Sequence, residues 1–286
     1  MTSGIQASAA TLRRLHHQDK PLVLVNAWDA CSAVVLQAAG ASAIATTSAG
    51  MAWSLGYPDG QRVPTRTFVD ACARIARVTR VPLSVDIERG FGDSVDDACE
   101  LVRALIDLGV VGINIEDGLE ARTLALNAPD DLLRRIEALR ALADRGGVAL
   151  FINARSDVFL ARDVRDEARC DEAQARSRLY AAAGADGFFV PGLAHLPDIA
   201  QLGAGCTLPL NVYAGGPGMP PVATLAANGV RRVSLGCGPL QAMAALLHGV
   251  AQEAFTTGFY DAMARDQMSG DLLNQLFQHP TERAIS

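Results

Sequence analysis

Acidic side chains fall at the ends of apolar runs in this chain, where buried strands should stop. The run over residues 82–88 ends in Asp86 and Glu88. A second ends in Asn114, Glu116 and Asp117, and a third in Asn153 and Arg155 with Asp157 just beyond. Strand side chains alternate, so Asp86 and Glu88 share a face, as do Asn114 with Glu116 and Asn153 with Arg155. The segment "SLGYPDG" adds Asp59. Four carboxylates at one mouth (Asp59, Asp86, Glu88 and Glu116) repel one another unless protons or a divalent cation neutralise them. Oxygen ligands favour a hard ion, Mg2+ or Mn2+, that keeps several of its waters. At any one of these positions the alternative is a helix cap or an arginine partner. Asp93, before "SVDDACELVRALIDLG", reads as the N-cap of the helix that follows.

Other chemistries have less to work with. Lys20 is the only lysine among 25 basic residues and precedes the first predicted strand, which leaves Schiff-base chemistry nothing else to use. Cys31, Cys72, Cys99, Cys170, Cys206 and Cys237 form no Cys-x-x-Cys pair and read as reduced core thiols. His16 and His17 lie in a polar stretch and read as solvated, and His195 as a surface residue at a helix start. A net charge of -6 argues against a nucleic-acid partner. With no run of about 20 apolar residues and no signal-like N-terminus, the expectation is a complete cytoplasmic chain without a membrane segment.

These residues need a scaffold that brings strand ends together. A phrase recurs four times: a helical apolar pattern, a glycine, then a short aliphatic run. It appears as "LQAAGASAIATT", "LIDLGVVGINIED", "YAAAGADGFFVPG" and "LAANGVRRVSLGCG", so Gly40, Gly109, Gly184 and Gly229 each end a helix in the left-handed conformation. With "LVLVN", "PLSVDIE", "ALFINAR" and "PLNVY" there are eight strand candidates. Apolar on both faces, they suit a parallel sheet covered by helices. Eight βα units in 286 residues make a (β/α)8 TIM barrel. A doubly wound open sheet competes, but no G-x-G-x-x-G follows the first strand. The chain reads as one domain, 1–286. Within it, 1–20 holds an N-terminal helix built on Leu12 and Leu15, and 255–286 a C-terminal helical extension. In that extension Leu272, Leu273, Leu276 and Phe277 need a surface, on this chain or a neighbour's.

Barrel sites form at the C-terminal ends of the strands. Strand one ends in Asn26, Trp28 and Asp29, strand two in Thr46, Thr47 and Ser48, and strand seven in Asn211 and Tyr213. Trp28 and Trp53 flank the expected pocket, as core packing or as its wall. The Gly-rich loops "YAGGPGMP" and "LGCGP" after strands seven and eight either close tight turns or cradle a phosphate.

The segments "LVNAWDACSA", "SLGYPDG", "VDIERGFGD", "GINIEDG" and "INARSDVF", in that order, resemble the strand-end signatures of the isocitrate lyase / phosphoenolpyruvate mutase superfamily, from about Leu12 to about residue 255. The resemblance implies a Mg2+-dependent barrel acting on C–C or P–C bonds beside a 2-oxo or enolate carboxylate. It also implies a dimer of dimers with exchanged C-terminal helices. It makes Asp86 the direct metal ligand, with Asp59, Glu88 and Glu116 holding the ion's waters. Arg155 grips the substrate carboxylate, backbone groups around Thr47, Ser48 and Ala49 hold the oxo-acid end, and Asn211 matches a substrate-binding Asn.

Departures accompany the resemblance. The lyases' Lys-Lys-Cys-Gly-His loop after strand four is replaced by "IEDGLEARTLALNAPDD", without Cys, Lys or His, and Asn127 falls outside the position expected of phosphonate-processing members. Gly192 stands where lyases place a Glu, and Gln241 where methylisocitrate lyases place an Arg. Tyr57, or water on the ion, is left as the base, so that Tyr57, Asp59 and Arg155 are the candidate catalytic groups. The leading expectation is a carbon–carbon lyase on a small 2-oxo or 2-hydroxy di- or tricarboxylate, by 2-methylisocitrate-like cleavage or oxaloacetate-like decarboxylation. The alternatives are a phosphonopyruvate-type P–C mutase or hydrolase, and a barrel that binds a 2-oxo acid without turning it over.

Overall fold

The computed structural model describes residues 2–216, 218–264 and 267–278. Helix α1 (Thr2–His16) precedes eight strands: β1 (Leu22–Leu24), β2 (Ile44–Ala45), β3 (Leu83–Asp86), β4 (Gly112–Glu116), β5 (Phe151–Arg155), β6 (Gly187–Val190), β7 (Leu210–Tyr213) and β8 (Val230–Ser234). Consecutive strands from β2 to β8 pair in parallel, and β8 pairs with β1. A parallel bridge, Ala27 to Thr46, joins β1 to β2. The Asn26 side chain ties the same seam, donating to the Thr46 carbonyl at 2.8 Å and accepting from the Gly236 N–H at 2.8 Å. This is the expected (β/α)8 barrel.

The helices are α2 (Ala30–Ala38), α3 (Ser48–Ser54), α4 (Thr65–Val78), α5 (Val95–Asp107), α6 (Asp130–Arg145), α7 (Arg169–Ala183), α8 (Leu196–Gly205), α9 (Val222–Ala227), α10 (Gly238–Thr257), α11 (Asp261–Ala264) and α12 (Gly270–Phe277). Gly40, Gly109, Gly184 and Gly229 take positive φ of 85 to 106°, as their places at helix ends require. Asp29 caps α2 by accepting from the Ser32 N–H at 2.7 Å. The cap of α5 is not Asp93 but Ser94. Its hydroxyl accepts from the Asp97 N–H at 3.0 Å, Asp97 answers at the Ser94 N–H, and the pair forms a capping box. Asp93 instead offers its carbonyl to Arg135.

Outward-facing strand residues such as Ile113, Ile115, Ile152 and Phe188 join the helices in the main core. A second cluster closes the floor: Ala9 and Leu12 of α1 pack on Leu22, Val111 and Phe151 at strand starts. A Cβ on Gly112 would come within 2.6 Å of Leu12, so glycine there admits the α1 plug. His16 belongs to this floor and is 1% exposed, against the solvated reading. Its ring stacks on Phe151 at 3.9 Å and its Nδ1–H donates to the Leu12 carbonyl at 2.8 Å. His17 is exposed, and His195 caps α8 at the surface beside Asp198.

All six cysteines are free; Cys72 and Cys170 are buried, whereas Cys31 is exposed. Helix α10 buries none of its residues, and Met243, Leu246, Leu247 and Phe255 stand exposed, Phe255 at 88%. On β1, Val23 is 38% exposed. Helix α12 meets α2 and half-buries Leu273 and Leu276, whereas Leu272 and Phe277 remain exposed. The C-terminal extension from 279 onward lies outside the described residues. Among the described residues no helix is long and apolar enough to cross a membrane.

Candidate active site

Asp86 closes β3 half-buried, and the end of β2 holds it. Its Oδ2 accepts from the Ser48 hydroxyl at 2.8 Å and the Ser48 N–H at 3.2 Å, while its own N–H donates to Thr46 Oγ1 at 3.0 Å. Thr47, Ser48 and Ala49 are buried. The Thr47 N–H goes to the Ala27 carbonyl, so of these backbone donors two are already used.

Glu88 is buried at φ 49°, a left-handed conformation uncommon outside glycine and a feature of functional sites. The Gln61 backbone N–H faces its carboxyl, and the Gln61 side chain accepts from the Phe91 N–H at 2.7 Å. Burial, then Asp86 and Asp59, push the Glu88 carboxyl up to about 7. Asp59 stands exposed at the rim. Surrounding protein and then Asp86 raise its pKa, although the Gly60 N–H opposes the shift.

Glu116 ends β4 and meets Arg155 Nη1 at 2.8 Å. Burial raises the Glu116 pKa, with Asp157, Asp86 and Glu88 adding repulsion and Arg155 pulling the other way. Arg155 ends β5 and is clamped by Asp157, at 2.6 Å through Nε and 3.2 Å through Nη2. It lies over the Phe189 ring, 5.8 Å from its centroid. Asp157 is itself held through its N–H by Asp117, which also takes the Ser156 hydroxyl, the Tyr180 hydroxyl and Arg176 at 2.7 to 2.8 Å. Asp117 is thus an anchor behind the mouth.

The negative charge of Asp86 contributes to the upward pKa shifts of Asp59, Glu88 and Glu116 alike. Among the described residues no three His, Cys, Asp or Glu side chains converge closely enough to cage an ion directly. A donor set made of carboxylate oxygens is of the kind that suits a hard cation retaining its waters. Neutralising this repulsion is what such an ion does best.

The remaining candidates lie on other elements. Trp28 is buried with its Cβ against Gly50, whereas Trp53 is 40% exposed. Tyr57 is half-buried with its side chain packed on the main core. Asn211 on β7 is fully buried, its Oδ1 accepting from Ser234 at 3.2 Å. The loop after β4 folds back through a Leu119–Leu126 bridge, and Asp163 and Arg162 pin it. In it the Glu120 carboxylate turns to Arg122 and Thr123 of its own loop. After β7 and β8, a Cβ on Gly215 would strike the Leu235 carbonyl and the Tyr213 hydroxyl, so glycine there serves close packing of the two loops.

Three contributors escape sequence reasoning. Phe189 hides in the wholly apolar run "FFVPG". Gln61 follows Asp59 by two positions without a feature of its own. Arg232 did leave a signal, a charged residue inside a strand buried on both faces.

The phosphoenolpyruvate phosphomutase family model matches residues 12–255. This chain belongs to that family. An uncharacterized protein of Mycobacterium tuberculosis is 37% identical over 229 residues, covering 80% of this chain and 82% of that one. An oxaloacetate decarboxylase of Ectopseudomonas mendocina is 32% identical over 63% of this chain and 60% of its own length. A 2-methylisocitrate lyase of Salmonella typhimurium is 32% identical over 65% and 64%. A solved Burkholderia cenocepacia structure, provisionally described as a phosphonomutase, is 42% identical with a TM-score of 0.80, covering 87% of this chain and 99% of that one. The fold is also that of 2,3-dimethylmalate lyase, a PEP mutase/isocitrate lyase superfamily member (TM-score 0.81, 24% identity, 94% of this chain and 94% of that one). The phosphoenolpyruvate phosphomutase family thus accounts for the barrel and for nearly all of the strand ends that carry the acids.

Proposed function

We propose that this protein is a Mg2+-dependent carbon–carbon lyase acting on a small 2-oxo or 2-hydroxy di- or tricarboxylate. The observation that carries this reading is Asp86, held by Ser48 at the end of β3, with Glu116 at the end of β4 and a clamped Arg155 at the end of β5. Bound Mg2+, held by Asp86 and through water by Asp59, Glu88 and Glu116, would supply Lewis acidity where negative charge develops on the substrate.

The chain's own residues supply the rest. Arg155 spends two of its five N–H groups on Asp157 and is ion-paired with Glu116, so it is pre-oriented with donors left for a substrate carboxylate. Phe189 lies against its guanidinium, and Asn211 stands two strands away at the same register. The pinned loop after β4 brings no Cys, Lys or His to the reaction. That favours decarboxylation of an oxaloacetate-like substrate, in which the new carbanion needs one proton and water suffices. For cleavage of a 2-hydroxy substrate, Tyr57 or Asp59 would take the hydroxyl proton.

A second reading, a P–C mutase or hydrolase, draws support from the 42% identical neighbour provisionally described as a phosphonomutase. Both are tested by following release of pyruvate from oxaloacetate and 2-methylisocitrate, and of pyruvate or phosphoenolpyruvate from phosphonopyruvate, with Mg2+ and with chelator. Chelator-sensitive release from oxaloacetate or 2-methylisocitrate is expected. Release from phosphonopyruvate alone would select the second reading, and no metal-dependent turnover would leave a binding barrel. We further propose a homo-oligomer, supported by the exposed apolar face of α10. Light scattering should give a multiple of the 30.1 kDa chain, and a monomer would refute it.

A further inference from the structure

Beneath the mouth lies a buried cation that the reaction above does not use. Arg232 on β8 is 0% exposed, and its hydrogen-bond partners are neutral: Nε donates to Ser234 Oγ and Nη2 to Asn114 Oδ1, each at 3.2 Å. Arginine only donates. Ser234 Oγ therefore receives a hydrogen from Arg232 and must send its own elsewhere. The acceptor in reach is Asn211 Oδ1, at 3.2 Å. In this arrangement the Ser234 hydroxyl hydrogen is satisfied by Asn211 Oδ1, and turning the Asn211 amide over would take that acceptor away.

With its oxygen taken, Asn211 is left with a buried nitrogen that has no partner. Buried donors are rarely left unmade unless something else completes them. Asn211 is the register neighbour of Phe189, which is the register neighbour of Arg155. Two strand spacings separate the Asn211 and Arg155 backbones by roughly 10 Å, and side chains reaching in from both can meet one small ligand. We propose that Arg232 and Ser234 are positioning residues that lock the Asn211 amide with its nitrogen free, so that the β7–β8 wall donates to an acceptor oxygen of a bound 2-oxo acid. The inference rests on the mouth being the substrate site. Arg232 Nη1 also lacks a partner in the structure, so direct contact of Arg232 with the ligand, which would persist in an Asn211→Ala background, is the rival role.

The test is calorimetric titration of oxalate, a minimal dicarboxylate, in Mg2+ with natively folded variants. Arg155→Ala and Asn211→Ala should each weaken binding by about tenfold or more, the scale of a lost charge-assisted hydrogen bond. Arg232→Met should weaken it about tenfold, and Ser234→Ala several-fold. In an Asn211→Ala background both should add less than about twofold, because the amide they orient is gone. A purely structural role for Arg232 would weaken binding equally in both backgrounds and overturn the proposal. So would unchanged binding in Ser234→Ala, the milder variant that decides the matter if Arg232→Met does not fold. If Arg155→Ala and Asn211→Ala themselves leave oxalate binding intact, the substrate-site reading fails first and takes this inference with it.

Discussion

The two ends of the barrel both bury ionisable groups, for opposite reasons. At the mouth Asp86, Glu88 and Glu116 crowd one another, and part of the upward shift on Glu88 comes from Asp86 and Asp59. A cation could remove that part. At the floor His16 is buried against Phe151, and burial is the first cause of its downward shift to about 3, with the positive charge of Arg232 second. No ligand relieves burial. The mouth holds its groups in a state that binding can change, whereas the floor holds His16 neutral whatever binds above.

The sharpest break of this contrast is Asp86→Ala. It should lower turnover by roughly a thousandfold, equivalent to several kcal/mol of transition-state stabilisation, with the far-ultraviolet spectrum unchanged. Mg2+ should raise the melting temperature of the wild type and not of the variant, because an ion bound only to the folded state stabilises it. An equal Mg2+ effect on both proteins would place the ion elsewhere and dissolve the distinction between the two ends.

How far each end was legible follows from the same physics. The mouth could be read because acids at the ends of apolar strands are out of place there, and strand alternation puts Asn114 with Glu116 and Asn153 with Arg155, whereas Glu88 lies past the end of β3 at φ 49°, where alternation says nothing. The four left-handed glycines marked the helix ends that set the spacing of the βα units. Asp93 was misread by one position because Ser94 and Asp97 offer a reciprocal pair, whereas a lone Asp offers one bond. Asp117 carries the same charge as Glu116 and falls next to it, yet faces Arg176 and Tyr180 behind the strand. Phe189 had no signal, since an aromatic residue in an apolar run looks the same on either face. The floor was illegible for a different reason. His16 lies in a polar stretch, and only the docking of α1 onto strand starts distant in sequence buries it.

That burial gives the floor its own, smaller test. A His whose folded pKa lies below its unfolded 6.5 leaves stability untouched above pH 6.5, where both states are neutral. As pH falls, the unfolded chain takes up the proton first, so stability drains away between about 6.5 and about 3. By pH 4.5 the loss amounts to roughly 2 to 3 kcal/mol. In His16→Phe the ring can still stack on Phe151 but nothing titrates there. The variant gives up the bond to the Leu12 carbonyl, so it should be less stable than wild type at pH 7.5. Urea unfolding should show that gap closing or reversing by pH 4.5. The raised carboxylates at the mouth titrate in both proteins and cancel in the difference. Turnover at pH 7.5 should match wild type, since the substitution lies at the opposite end of the strands from Asp86. A stability gap that stays constant with pH would mean that His16 is protonated in the folded protein. The floor would then hold a charge as the mouth does, and the contrast between the two ends would be lost.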